Sequence, residues 1–189
     1  IKHQIATGFV GALNVIAVDI DQDGDVDVAA TAFGDGQVAW WEQDGENWIY
    51  HLVASGFEGA NGITYADIDN DSDLDLVGCS EEGNEVTWWE NIGLTWESHQ
   101  LTDQMRSARS VTAEDMDNDG DIDIVGSGVL ADEIAWWENR EGSFFKHMIA
   151  ANFNGSRQSV PVDMDGDGDK DIVATALWEH EVAWFENTG

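Results

Sequence analysis

The stretch Asp19-Ile-Asp21-Gln-Asp23-Gly24-Asp25-Val-Asp27 places five aspartates on alternate positions of nine residues. The spacing recurs at Asp67 to Asp75, Asp115 to Asp123 and Asp163 to Asp171, each copy 48 residues after the last. Carboxylates this close repel one another. A hard cation with oxygen ligands is the natural counter-charge. Positions one, three, five and nine offer carboxylates, and position seven offers a backbone carbonyl, with its own side chain left to solvent. Glycine at position six permits the left-handed turn that folds such a loop around an ion. An EF-hand begins in the same way but needs a glutamate at position twelve. That position holds Ala30, Gly78, Gly126 and Ala174, so the EF-hand reading fails.

The 48-residue beat runs beyond the aspartates. Trp40-Trp41-Glu42 returns as Trp88-Trp89-Glu90, Trp136-Trp137-Glu138 and Trp184-Phe185-Glu186. His3, His51, His99 and His147 keep the same spacing. Each repeat reads as four short strands bounded by Gly, Asn and Asp. The first leads into the aspartate loop and the second leaves it (Val28 to Phe33). The third carries the tryptophan pair (Gln37 to Glu42), and the fourth carries the histidine (Trp48 to Val53). No segment sustains a helical period. Four strands per unit of this length predict an all-β protein, a β-propeller of four blades. The blades are expected at about residues 8–55, 56–103, 104–151 and 152–189. Residues 1–7 match a fourth strand and are expected to complete the last blade. That phase serves a four-bladed ring, or one half of an eight-bladed ring made by two chains.

Loop, strand order and register resemble the FG-GAP (VCBS-type) repeat, which includes the propeller of integrin α subunits and several lectins. The resemblance covers essentially the whole chain. It implies up to four calcium ions on one face of the propeller. The ligands it carries over are Asp19, Asp21, Asp23 and Asp27 with the Asp25 carbonyl, then Asp67, Asp69, Asp71 and Asp75 with Asp73. The third loop gives Asp115, Asp117, Asp119 and Asp123 with Asp121, and the fourth gives Asp163, Asp165, Asp167 and Asp171 with Asp169. Ser72 stands where the other loops have glycine, which marks the second site as the weakest.

The formal charge is −32, and 20 of the 39 acidic residues lie in the four loops. Such a chain repels nucleic acid and anionic membranes. A salt-adapted acidic surface would not keep a fixed beat. No apolar run is long enough to span a membrane. The chain opens on Ile1-Lys2-His3 without an apolar leader, and calcium loops suit an extracellular or cell-surface setting. Cys79 aligns with Thr31, Ser127 and Thr175, as a small buried strand residue would.

Paired tryptophans on adjacent strand positions point to opposite faces. They are expected to fill the spaces between blades. The aligned histidines, on separate outer strands, are expected to be structural. Variable loops at the end of the blades opposite the aspartates offer a ligand surface. Its candidates are Trp178, which has no aromatic counterpart, His180, Arg106, Arg109 and Arg157, with Phe9, Phe57 and Phe153 nearby. The expected function is a non-catalytic, calcium-binding module for an extracellular glycan or protein. One alternative is a self-assembling scaffold, engineered or cut from a longer array, with calcium as its sole ligand. Another is a polysaccharide-active enzyme on the same scaffold, although no nucleophile elbow or zinc motif is present.

Overall fold

The computed structural model describes residues 1–188. Fifteen strands and no helix occur among them. The first sheet contains β1 (Ala12–Val18), β2 (Asp27–Ala32), β3 (Gln37–Asp44) and β4 (Asn47–Ser55). The second contains β5 (Ala60–Ala66), β6 (Asp75–Ser80), β7 (Glu85–Ile92) and β8 (Thr95–Thr102). The third contains β9 (Ala108–Glu114), β10 (Asp123–Gly128), β11 (Glu133–Arg140) and β12 (Ser143–Ala151). The fourth has β13 (Ser156–Val162), β14 (Asp171–Ala176) and β15 (Glu181–Phe185). Each sheet is an antiparallel meander in chain order. Register repeats with the sequence: Val28 faces Trp41, Leu76 faces Trp89, and Ile124 faces Trp137. Irregularities recur at Val38/Ala39, Val86/Thr87 and Ile134/Ala135. A bulge at a fixed place increases the local twist of each blade.

The core lies between blades. Ile20, Val38 and Trp40 of the first blade pack on Phe57, Ile63 and Trp89 of the second. Ile68, Val86 and Trp88 meet Met105, Val111 and Trp137 of the third. Met116, Val125 and Ile134 meet Ile172 and Ala174 of the fourth. Within each tryptophan pair the first ring therefore faces the next blade and the second faces back. The fit is close: a Cβ at Gly78 would lie 2.7 Å from the Trp89 ring. Cys79 is fully buried in this core, and burial pushes its thiol up to about 12, so it acts as a small apolar filler.

The innermost strands β1, β5, β9 and β13 line a common axial funnel. One expectation is not met. Residues 1–7 form no strand, and β15 pairs with β14 alone among the described strands. Residues 5–7 lie instead beside Trp41 of the first blade. The last sheet does not pair with the first among the described strands: Val182 and Trp184 on the last blade and Val15 on the first stay exposed, while Trp41 on the first is covered.

Candidate metal centres and ligand face

Each aspartate loop joins a first strand to a second. The position-nine aspartate opens the second strand and is buried in all four repeats. Its Oδ2 accepts the N–H of the position-two residue, at 2.9 Å from Ile20, 2.9 Å from Ile68, 2.8 Å from Met116 and 2.9 Å from Met164. Its Oδ1 accepts an N–H from beside or beyond the end of the third strand, from Gln43, Asn91, Asn139 and Asn187 at 2.7–2.8 Å. This carboxylate thus ties three strands together. Position one accepts the N–H of position six, as in Gly24 to Asp19 at 3.0 Å and Ser72 to Asp67 at 3.0 Å. Positions three and five each accept the N–H two residues on, as in Asp23 to Asp21 at 3.2 Å and Asp25 to Asp23 at 2.8 Å.

These bonds draw the carboxylates into groups. Oxygens of Asp19, Asp21 and Asp27 lie within 4.8 Å of one another, as do those of Asp115, Asp117 and Asp123, and of Asp163, Asp165 and Asp171. In the second loop the group is Asp67, Asp69 and Asp71. The donor set is all oxygen, which suits a hard cation. The buried Oδ1 atoms of Asp67 and Asp115 have no hydrogen-bond partner, as expected of acceptors turned toward a positive charge. Burial, and to a lesser degree the neighbouring carboxylates, raise the position-three groups Asp21, Asp69, Asp117 and Asp165 above the usual carboxylate range. Burial pushes Asp75 up to about 7 and Asp123 to about 6 against the N–H groups that pull them down. Each of these shifts marks negative charge held at a cost, which a cation there would relieve. Ser72 holds φ at 79°, against 100°, 99° and 104° at Gly24, Gly120 and Gly168.

The position-seven side chains do not all face open solvent. Asp73, Asp121 and Asp169 are half-buried, and each meets an amide from the preceding loop. Gln22 Nε2 reaches the Ser72 carbonyl at 2.6 Å and Asp73 Oδ1 at 3.4 Å. Asn70 Nδ2 reaches Asp121 Oδ1 at 3.1 Å. Asn118 Nδ2 reaches the Gly168 carbonyl at 3.1 Å and Asp169 Oδ1 at 3.4 Å. Adjacent loops are therefore bonded in series through position four. The sequence carried a signal for this, since position four is an amide side chain in three loops and glycine in the fourth.

The histidines have structural partners that spacing alone did not reveal. His51, His99 and His147 stack on Trp40, Trp88 and Trp136 at 4.4, 4.4 and 4.7 Å between centroids. Their Nε2 atoms pair with Glu42, Glu90 and Glu138 at 2.8, 2.8 and 2.6 Å. The glutamate of each Trp-Trp-Glu motif thus holds the ring that covers the motif's first tryptophan.

At the opposite end of the strands, the variable loops bond to one another. Gly34 and Asp35 N–H groups donate to Val10, Phe57 N–H to Gly36, and Leu177 N–H to Gly155. Phe57 and Phe153 are buried here and, like Phe9, lie edge-on to Trp89, Phe185 and Trp41 respectively. These aromatics belong to the core, which corrects their assignment to a ligand surface. They alternate with glycines in the blade-joining segments, so they resemble loop aromatics in sequence. Trp178 is half-exposed on a turn, with its ring over Gly155. His180 is exposed on the same turn at φ 55°.

The three arginines separate. Arg109 and Arg157 line the axial funnel, a cavity of about 440 Å³, whereas Arg106 lies exposed outside it. Arg109 pairs with Glu81 at 2.5 Å, and Glu81 also accepts from Asn61 Nδ2 at 3.0 Å. Asn14, Asn61 and Gln158 complete a polar lining at this level. Asn61 and Glu81 were not legible as site residues, because their significance arises only where the first strands converge.

A family model described as FG-GAP-like repeat matches residues 19–78 and 67–126, together more than half the chain. No curated protein matches the chain in sequence. Among solved structures, the SapL1 lectin in complex with alpha methyl fucoside is 14% identical with a TM-score of 0.62. The match covers 96% of this chain and 63% of that one. A catalytically inactive virginiamycin B lyase from Staphylococcus aureus, with quinupristin, is 14% identical with a TM-score of 0.55, covering 94% and 56%. The V. cholerae biofilm matrix protein Bap1 is 16% identical with a TM-score of 0.53, covering 94% and 30%. The chain spans less than two thirds of each of these proteins, and at such identities the likeness is one of fold. No helix is long and apolar enough to cross a membrane.

Proposed function

The chain belongs to the FG-GAP-like repeat family, and from that premise we propose a calcium-stabilised, non-catalytic binding module that takes a glycan or a protein surface outside the cell. The observation that carries the ligand reading is the axial funnel. In a chain of net charge −32 it gathers Arg109 and Arg157 with the amides of Asn14, Asn61 and Gln158. Amides and guanidinium groups are the donors that recognise hydroxyl and carboxylate oxygens. Trp178, half-exposed on the same end of the blades, offers an apolar face for a sugar ring or a side chain.

Calcium has the structural part in this reading. Each ion would be held by the carboxylates of one loop and would neutralise the repulsion that otherwise loosens the first and second strands. Its distance in sequence from the funnel residues supports a scaffold role rather than direct ligand contact. The non-catalytic reading is supported by the histidines of the outer strands, which are committed to glutamate and tryptophan partners.

A glycan array probed with the calcium-loaded protein tests both parts. Binding is expected, with Arg157→Ala lowering it at least about tenfold, since Arg157 is exposed and its loss leaves the core intact. Excess chelator is expected to abolish binding together with a fall in melting temperature. Binding unchanged in Arg157→Ala and Trp178→Ala would remove the ligand from this face. An unchanged melt in chelator would remove calcium.

A further inference from the structure

Arg109 and Arg157 occupy one register on β9 and β13, 48 residues apart. Each is the extra residue of a bulge. β9 pairs Ala108 with Gly128 and Ser110 with Ser127, and β13 pairs Ser156 with Ala176 and Gln158 with Thr175. A bulge re-aims the side chain it leaves unpaired, and here both line the funnel.

The two guanidinium groups have different neighbours. Arg109 Nη1 meets Glu81 Oε2 at 2.5 Å, and Asn61 Nδ2 reaches the same oxygen at 3.0 Å. The counterpart of Glu81 one blade on is Val129. The backbone is alike at both places, since the N–H of Glu81 donates to the Gly59 carbonyl at 2.9 Å and that of Val129 to the Ser107 carbonyl at 3.0 Å. The joint that gives Arg109 a carboxylate therefore gives Arg157 an isopropyl group. Among the described residues no ion pair involves Arg157, and no carboxylate lines the funnel. A second departure from the repeat lies two residues on. Ser159 stands where the other first strands have Val15, Ile63 and Val111. It is fully buried, it lines the funnel, and its Oγ has no hydrogen-bond partner. Thr112 Oγ1, in the same lining, is likewise buried without a partner. Unsatisfied buried hydroxyls cost free energy that a bound polar group recovers.

We propose, on the reading of this face as the ligand surface, that the funnel takes a carboxylate-bearing sugar, its acid group on Arg157. The guanidinium fork matches the two coplanar oxygens of a carboxylate. Asn14, Ser110 and Gln158 supply the donors and acceptors that ring hydroxyls need, and Ile63 and Val111 supply apolar surface for a ring face. The cavity of about 440 Å³ lies within the range of small-molecule sites. An acidic protein side chain would engage the arginine and leave most of these groups without partners. A densely charged polymer is repelled by the acidic surface elsewhere, so a single acid group on otherwise neutral sugars is the form that fits.

The test is an array of matched oligosaccharide pairs, one member ending in a uronic acid and the other in the corresponding neutral hexose, probed with the calcium-loaded protein. The uronate members are expected to bind at least about tenfold more tightly. Arg157→Gln is expected to erase that difference, and Arg157→Lys to keep part of it. Val129→Glu supplies the carboxylate that the joint withholds from Arg157. With an unchanged melt, it is expected to weaken the uronate members about tenfold and leave the neutral ones as they were. Equal binding of uronate and neutral members would overturn the acid assignment and leave the ligand face in place. Binding of neither would overturn both. A uronate preference that survives Arg157→Gln and Val129→Glu would put the acid group elsewhere. Sulfated members bound as tightly as uronates would overturn the planar carboxylate. Preference for an acidic peptide on the same array would assign the funnel to a protein instead.

Discussion

At the residue scale, the position-nine aspartate has a structural role that the sequence did not show. Its spacing marked it as a ligand. Accepting an N–H from the position-two residue and another from the third-strand side depends on contacts across 7 and 16 residues. Burial raises Asp75 to about 7 and Asp123 to about 6, well above the usual carboxylate range. A carboxyl whose folded pKa exceeds its unfolded value binds its proton more tightly in the folded chain. The ion-free fold is therefore favoured at low pH and loses stability as pH rises from about 4 through about 7. In excess chelator the melting temperature is expected to fall between about pH 4 and about pH 7 and then level off, the reverse of ordinary carboxylate behaviour. A melt that rises across this interval would show that these groups are ionised without an ion. Ser72 gives a second expectation at this scale. Its φ of 79° costs about 1 kcal/mol for a side chain that glycine lacks. Ser72→Gly is expected to tighten calcium at the second loop about fivefold in calorimetry.

At the element scale, the blades follow from short alternating strands, and the repeat fixed their order before any coordinates. The pairing of each histidine with its glutamate could not be read, because it depends on third- and fourth-strand register. The serial bonds between loops were equally hidden, since position four reaches a loop about 50 residues away. Asn118→Ala removes the bond from the third loop to Gly168 and Asp169 while leaving every loop carboxylate in place. One such bond contributes about 1 kcal/mol, so calcium at the fourth loop is expected to weaken about fivefold. Titration of that variant, compared with wild type, measures the link between loops. Equal affinities would make these bonds incidental.

At the scale of the whole molecule, the repeat in the sequence implies a propeller, and the structure places residues 5–7 beside the first blade. Residues 1–7 matched a fourth strand by spacing, yet spacing does not say on which blade that strand lies. Their position does, because residues 5–7 lie beside Trp41 and Trp48 of the first blade. The funnel was likewise out of reach of sequence reasoning, which grouped Arg106 with Arg109 and Arg157 as loop residues. Only Arg109 and Arg157 converge on the axis. Gly166 has one more consequence. It stands at position four of the last loop, where Gln22, Asn70 and Asn118 reach forward, and it has no side chain with which to do so. The series of loop-to-loop amide bonds that starts at Gln22 therefore stops at the fourth loop. A disturbance at any of the first three loops reaches its neighbour through one side-chain amide, whereas the fourth loop receives such a bond and passes none on.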